Sequence, residues 1–180
     1  MTIVTWSSDR TFEPQQFEMW QEQTTPEANS PYNRYRQSSY IPGTAMWSVN
    51  MQFPAAGRGL FNERARLQAY CTRFRDRQDQ VRIWHFLRPV PVGTMRGSPV
   101  VSGSHAQFSK TLNIRGAAAG VTLKIGDLLG VNGMLVEVAA DCVTDAFGAV
   151  AVPLTADMRT ALTDGMAITW DKPTALFILA

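Results

Sequence analysis

Apolar and polar residues alternate over residues 45–53, with Trp47, Val49, Met51 and Phe53 on one side and Met46, Ser48, Asn50 and Gln52 on the other. A period of two predicts a half-buried strand, which Pro54 ends. The period then lengthens. Over residues 60–77, Leu60, Leu67, Tyr70, Cys71 and Phe74 fall within about 100° of arc at 3.6 residues per turn, which predicts the chain's one substantial helix. Glu63 near its start and Arg73, Arg75 and Arg77 near its end suit the helix dipole. Arg66, Arg73 and Arg77 border the apolar stripe on one side, and Arg64 and Arg75 border it on the other. Residues 81–87 alternate again, with Val81, Ile83, His85 and Leu87 against Arg82, Trp84 and Phe86. Both faces are partly apolar, which predicts a central strand.

Turn chemistry punctuates the rest. Residues 88–103 carry Pro89, Pro91, Gly93, Gly97, Pro99 and Gly103, a loop too long for an ordinary connection and of the kind that serves function or assembly. A further strand is expected over residues 107–115. Residues 128–131 and 134–139 flank Asn132-Gly133, the strongest short hairpin signal. Residues 141–144 and 149–154 flank the tight connection Asp145-Ala146-Phe147-Gly148. Thr155 is placed to cap a short helix running through Leu162. Asp164-Gly165 then turns the chain between that helix and two last strands, over residues 166–170 and 175–179. Short strands at this spacing predict a mainly β (α+β) fold: a small antiparallel β-barrel or sandwich with one main helix.

Residues 1–43 break the pattern. They are poor in aliphatics but hold Trp6, Phe12, Phe17, Trp20, Tyr32, Tyr35 and Tyr40. Such a segment cannot close its own core, yet a disordered tail lacks so many rings. An extended arm is expected, its rings lodged on the main body or on a neighbouring subunit. An irregular N-terminal lobe is the alternative, so the organisation is an extended aromatic-rich arm or lobe over residues 1–43 and a β-barrel-like domain over residues 44–180, which includes the helix and the 88–103 loop.

With 180 residues and a 45% hydrophobic fraction, the chain is long enough to bury a core without staples. Its formal charge of +2 is too small for a continuous nucleic-acid-binding field. The sign is uneven: residues 1–90 hold eleven Arg, no Lys and eight carboxylates, whereas residues 91–180 hold six bases and seven acids. Arginine's planar fork suits ordered, partly desolvated contacts, so the bias favours an interface. Cys71 and Cys142 lack the spacing of a redox or zinc site and are expected as buried thiols. No basic leader precedes an apolar core and no stretch of eighteen apolar residues occurs, so a soluble protein made in a cytosol, with no membrane partner, is expected.

Catalytic chemistry finds little support. Only His85 and His105 offer imidazoles; His85 reads as a core histidine, and His105 has no nucleophile elbow beside it. Asp127, Asp141 and Asp145 sit at turns beside glycine or small residues, where aspartate accepts backbone N–H bonds, and their spacing fits no calcium loop. Gly57-Arg58-Gly59 lacks the rest of a phosphate or dinucleotide loop. No catalytic residue, cofactor or metal ligand is therefore assigned. Tyr32-Asn33-Arg34-Tyr35-Arg36 and Arg82-Ile83-Trp84-His85 interleave bases with rings, a weak hint of nucleic-acid binding; no specific nucleic-acid partner is assigned.

The succession of features resembles the distal tail or baseplate minor tail proteins of long-tailed bacteriophages with non-contractile tails. The resemblance begins at Tyr40 and Pro42-Gly43 and continues through residues 47–54 and Trp84-His85-Phe86-Leu87. It is densest from Gly126-Asp127 and Asn132-Gly133 through residues 141–149 to Pro153-Leu154. Met158-Arg159, Asp164-Gly165 and residues 172–177 complete it. The resemblance implies a non-enzymatic, ring-forming virion protein at the tail tip. Such a protein is a homo-oligomer, a hexamer by analogy, joining the tail tube to the hub and the receptor-binding proteins. Contacts between subunits or partners are expected from Trp6, Phe12, Trp20, Tyr32 and Tyr35 in the arm. The helix contributes Arg64, Arg66, Arg73, Arg75 and Arg77, and the C-terminal segment contributes Phe177 and Leu179. The alternatives are a carbohydrate- or receptor-binding β module, with Tyr32, Tyr35 and Trp84 as its aromatic platform, and a small-barrel hydrolase.

Overall fold

A computed structural model describes residues 3–6, 14–23, 27–29, 36–38, 41–43, 45–53, 61–74 and 80–178. In chain order the elements are β1 (Ile3–Thr5), β2 (Gln16–Glu22), β3 (Glu27–Asn29), β4 (Arg36–Ser38), β5 (Met46–Gln52), α1 (Phe61–Phe74), β6 (Gln80–Trp84), β7 (Val100–Val101) and β8 (Thr111–Arg115). They continue with β9 (Thr122–Leu123), β10 (Leu128–Val131), β11 (Met134–Glu137), β12 (Cys142–Val143), β13 (Val150–Pro153), β14 (Ile168–Thr169) and β15 (Thr174–Phe177). The fold is mainly β with one helix. Its sheets are short and mostly antiparallel, and none closes into a barrel. Strands such as β7, β9, β12 and β14 end after two residues, so isolated pairs such as Val100 with Ala167 and Val138 with Leu154 link the sheets instead of continuous ladders.

The β10–β11 hairpin is the shared wall of the molecule. Asn132 and Gly133 both take positive φ, 49° and 73°, as a two-residue hairpin turn of the favoured hand requires. The register pairs Leu129 with Val136 and Val131 with Met134, and all four face a first core that includes Leu112, Ile114, Leu123, Val152, Met158 and Leu162. On the opposite face Leu128 and Leu135 enter a second core with Trp6, Phe17, Met19, Val81, Ile83 and Phe177. Burial on both faces explains the unbroken apolar run of this hairpin.

β6 is indeed central, lying between β1, which is parallel to it, and β15, which is antiparallel. β2 of the arm pairs along its whole length with β5, which turns Phe17 and Met19 into the second core and leaves Gln16, Glu18, Trp20 and Glu22 exposed. The Asp145–Gly148 connection is tight, with Asp145 N–H donating to Ala149 C=O at 2.8 Å. The strands on either side of it nevertheless diverge, β12 to β9 and β13 to β8.

The helix expected from Thr155 to Leu162 does not form. Its backbone bonds residues 105–110 instead: Met158 N–H donates to Ser109 C=O, Phe108 N–H donates to Met158 C=O, and Leu162 exchanges both bonds with His105. This irregular path brings both Met158 and Leu162 into the first core, where each is essentially inaccessible. Cys71, expected to be buried, is exposed, whereas Cys142 is half-buried against the first core. Among the described side chains of α1, Leu67 is the one that packs against a core, so the apolar stripe is only partly used.

The 88–99 segment lies tightly against β9. A Cβ added at Gly93 would stand 2.2 Å from the carbonyl oxygen of Thr122, so any side chain there forces two backbones apart. Gly93→Ala is expected to cost about 2 kcal/mol or more, read as a lowered urea midpoint; an unchanged midpoint would show that the segment gives way freely.

A candidate docking surface

Three aspartates each hold exposed backbone of the domain in place. Asp127, 3% exposed, follows the turn that ends β9. Its Oδ1 accepts the Val92 N–H at 2.7 Å, and its Oδ2 accepts those of Lys124 at 2.7 Å and Gly93 at 3.1 Å. Its backbone also exchanges bonds with Lys124 and Val138. Three N–H donors satisfy the buried carboxyl oxygens in place of water.

Asp141 precedes β12. Its Oδ1 accepts the Ile125 N–H at 2.8 Å and its Oδ2 pairs with Lys124 Nζ at 2.7 Å. The lysine's hydrogen bond, then that of the Ile125 amide, holds the carboxyl below its ordinary value. Asp145 Oδ1 accepts the N–H groups of Phe147 at 2.8 Å and Ala149 at 2.9 Å. The expectation of turn acids thus holds for all three.

These bonds have a common consequence. Val92, Ile125 and Phe147 are 84, 68 and 91% exposed, and each has its own N–H held by one of the three aspartates. Large apolar side chains are presented to solvent from backbone that is fixed in place. Val143 on β12, opposite Thr122, and Leu87 and Val90 are further exposed apolar side chains. Arg88 ties the segment down, donating to Gly126 C=O at 2.9 Å and to Glu137 Oε1 at 2.7 Å. Arg96 donates to the Gly93 and Met95 carbonyls and lies over the Trp170 ring, whose Nε1–H bonds Gly97 C=O at 2.8 Å.

Val92, Ile125 and Phe147 were not singled out as contact residues from the sequence. Their shared signal is an apolar residue immediately before a turn glycine: Val92-Gly93, Ile125-Gly126 and Phe147-Gly148. Of the residues that were singled out, Trp20 is 42% exposed on the outer face of β2, its Nε1–H bonded to Glu22 at 2.8 Å. Arg66 is exposed on α1, which also carries Arg64 and Arg73. Trp6 and Phe177 are corrections. The pairing of β1 and β15 with β6 delivers both rings into the chain's own second core, 5 and 8% exposed, where they are unavailable to a neighbour. Phe12, Tyr32, Tyr35, Arg75, Arg77 and Leu179 lie outside the described residues, as does Gly57-Arg58-Gly59. Trp84, expected as part of a glycan platform, is buried against Phe86 with Lys172 over its ring.

The imidazoles are built into the packing. His85 is buried with its Nδ1 unpartnered, and its ring packs edge-to-face with that of Phe17, the centroids 5.1 Å apart. Burial, and after it the Arg88 guanidinium, lower His85 from 6.5 to about 4. His105 Nε2 accepts the Asn113 N–H at 3.2 Å. Among the described residues no hydroxyl or thiol bonds either imidazole, and no group of three or more His, Cys, Asp or Glu stands together as metal ligands do. No described helix is long and apolar enough to cross a membrane. No protein-family model matches the chain, and no curated protein matches it in sequence.

Asp127→Ala removes an acceptor from three N–H groups at once and is expected to cost about 3 kcal/mol or more in urea unfolding; a loss within the scatter of surface substitutions would contradict the role given to it. For His85, the unfolded imidazole takes up a proton below about 6.5 while the folded one resists until about 4. The unfolded state therefore binds more protons in that window, and stability falls as pH drops through it. His85→Leu is expected to flatten this part of the pH profile of the melting temperature; parallel profiles for the two proteins would remove the histidine from the account.

Proposed function

We propose that this chain is a structural, non-enzymatic virion protein of a long-tailed phage. In this reading copies stand side by side in a closed ring at the tail tip, between the tail tube and the hub that carries the receptor-binding proteins. The resemblance of residues 126–154 and of the flanking segments supplies the family. The observation that carries the reading is the display of Val92, Ile125 and Phe147 from backbone pinned by Asp127, Asp141 and Asp145. Exposed apolar groups are unremarkable when scattered singly. Here they are held by dedicated hydrogen bonds, which removes in advance much of the ordering entropy that association otherwise costs. A ring subunit needs such surfaces because a heterologous contact is repeated at every copy and closes only if its geometry is fixed.

The arm fits the same reading. β2 presents Trp20 beside Glu18 and Glu22 on the outer face of the β2–β5 ribbon. The Lys124–Asp141 ion pair neutralises the acid that holds Ile125, which lowers the cost of burying that side chain against another protein surface.

A chain carrying Val92→Ser with Phe147→Ser tests this. Both side chains are solvated in the free chain, so unfolding stability is expected to stay within about 1 kcal/mol of the parent. Assembly, followed by mass measurement and negative-stain imaging alone and with purified tail tubes, is expected to fail. Rings or tube-bound assemblies formed as readily as by the parent would overturn the contact role. A parent chain that remains monomeric with and without tubes would overturn the ring.

A further inference from the structure

A cleft of about 130 Å³ opens where the tip of the β10–β11 hairpin meets β6, β14 and β15. Arg82 is the charged residue in its wall, and Asn132, Thr169 and Thr174 add a carboxamide and two hydroxyls. Their positions follow from the fold. Alternation along β6 turns Val81 and Ile83 into the second core and sends Arg82 to the other side of the sheet, where its register partner on β15 is Leu176. β14 joins β10 through Gly130 and Thr169, which sets the Thr169 hydroxyl beside the hairpin. The hairpin tip comes this close because it carries glycine: a Cβ on Gly130 would stand 3.3 Å from Pro173, and one on Gly133 would stand 3.6 Å from Leu176.

The polar side chains of this wall have no hydrogen-bond or ion-pair partner among the described residues. Arg82 forms no ion pair with a described carboxylate, unlike Arg88 and Arg115, which pair with Glu137 and Asp164. The side chains of Asn132, Thr169 and Thr174 make no hydrogen bond to a described residue. One guanidinium fork with neutral donors around it, and no acid in the wall, has the chemistry that recognises an oxyanion. The strands hold these groups at fixed separations, as a binding site requires.

We infer that this cleft is an oxyanion site, with Arg82 as its bidentate anchor and the Thr169 and Thr174 hydroxyls and the Asn132 carboxamide as secondary donors. The ligand chemistry is a single carboxylate or phosphate group. It has two sources, a free inorganic anion or the acidic side chain of another protein. The inference does not depend on the tail reading, because it rests on a different surface and a different kind of contact.

The test follows the melting temperature of the full chain during separate titrations with sodium phosphate and sodium acetate, at ionic strength held constant with sodium chloride. A saturable rise is expected in the millimolar range, reaching about 4 °C at tenfold excess over Kd. Tighter phosphate binding identifies a free anion as the source, and tighter acetate binding identifies a protein carboxylate; either supports the site. Arg82→Gln is expected to weaken the response at least tenfold, and Arg82→Lys, which keeps the charge but loses the fork, to weaken it partly. Thr169→Val supplies a second variant that leaves β6 untouched and is expected to weaken binding several-fold. The inference is overturned if neither anion gives a saturable rise, or if Arg82→Gln responds as the parent does.

Discussion

The carboxylate of Asp127 receives the backbone N–H groups of Val92, Gly93 and Lys124, and through them it joins the long Gly/Pro segment to the turn after β9. Without it, three buried or half-buried donors would have to find water in a place from which water is largely excluded. The surrounding structure depends on that junction. Met95 enters the first core only because the segment before it is held against β9, where Met95 N–H reaches Thr122 C=O at 3.1 Å. Arg88 can reach both Gly126 and Glu137 for the same reason.

The junction sits at one end of the β10–β11 hairpin, the element buried on both faces. Leu128, next to Asp127 in sequence, belongs to the second core, and Leu129 belongs to the first. Order imposed at Asp127 is thus passed to both cores through adjacent residues. It is also passed outward, because the same bonds orient Val92 and, with Asp141, Ile125. A rigid interior and a rigid display surface are two effects of one set of hydrogen bonds.

How much of this was legible depends on the range of the forces involved. Asn132-Gly133 specified its hairpin because left-handed backbone is a local property of those two residues. The alternation of residues 45–53 was legible because a strand's two faces are written in neighbouring positions. Asp127, Asp141 and Asp145 were legible as turn acids, since glycine or small residues stand beside them. What could not be read was pairing over distance. Residues 155–162 have a helix cap and helical spacing, yet the segment bonds residues 105–110 and buries Met158 and Leu162 in the first core. Trp6 and Phe177 looked like surplus rings because nothing local shows that β1 and β15 flank β6. The outward turn of Val92, Ile125 and Phe147 was hidden for a related reason: an apolar side chain is assigned to the interior until its backbone is seen to be held by an aspartate remote in sequence, as with Asp127 for Val92.

The central claim is that the display surface is already rigid in the free chain, before any neighbour arrives. Amide hydrogen exchange at Val92, Gly93 and Lys124 measures this directly, because an N–H held by a buried carboxylate exchanges only when the junction opens. Protection comparable with that of Leu129 and Val136, paired in the central hairpin, is the predicted result. Exchange at the rate of an unstructured peptide, with the central hairpin still protected, would contradict the account.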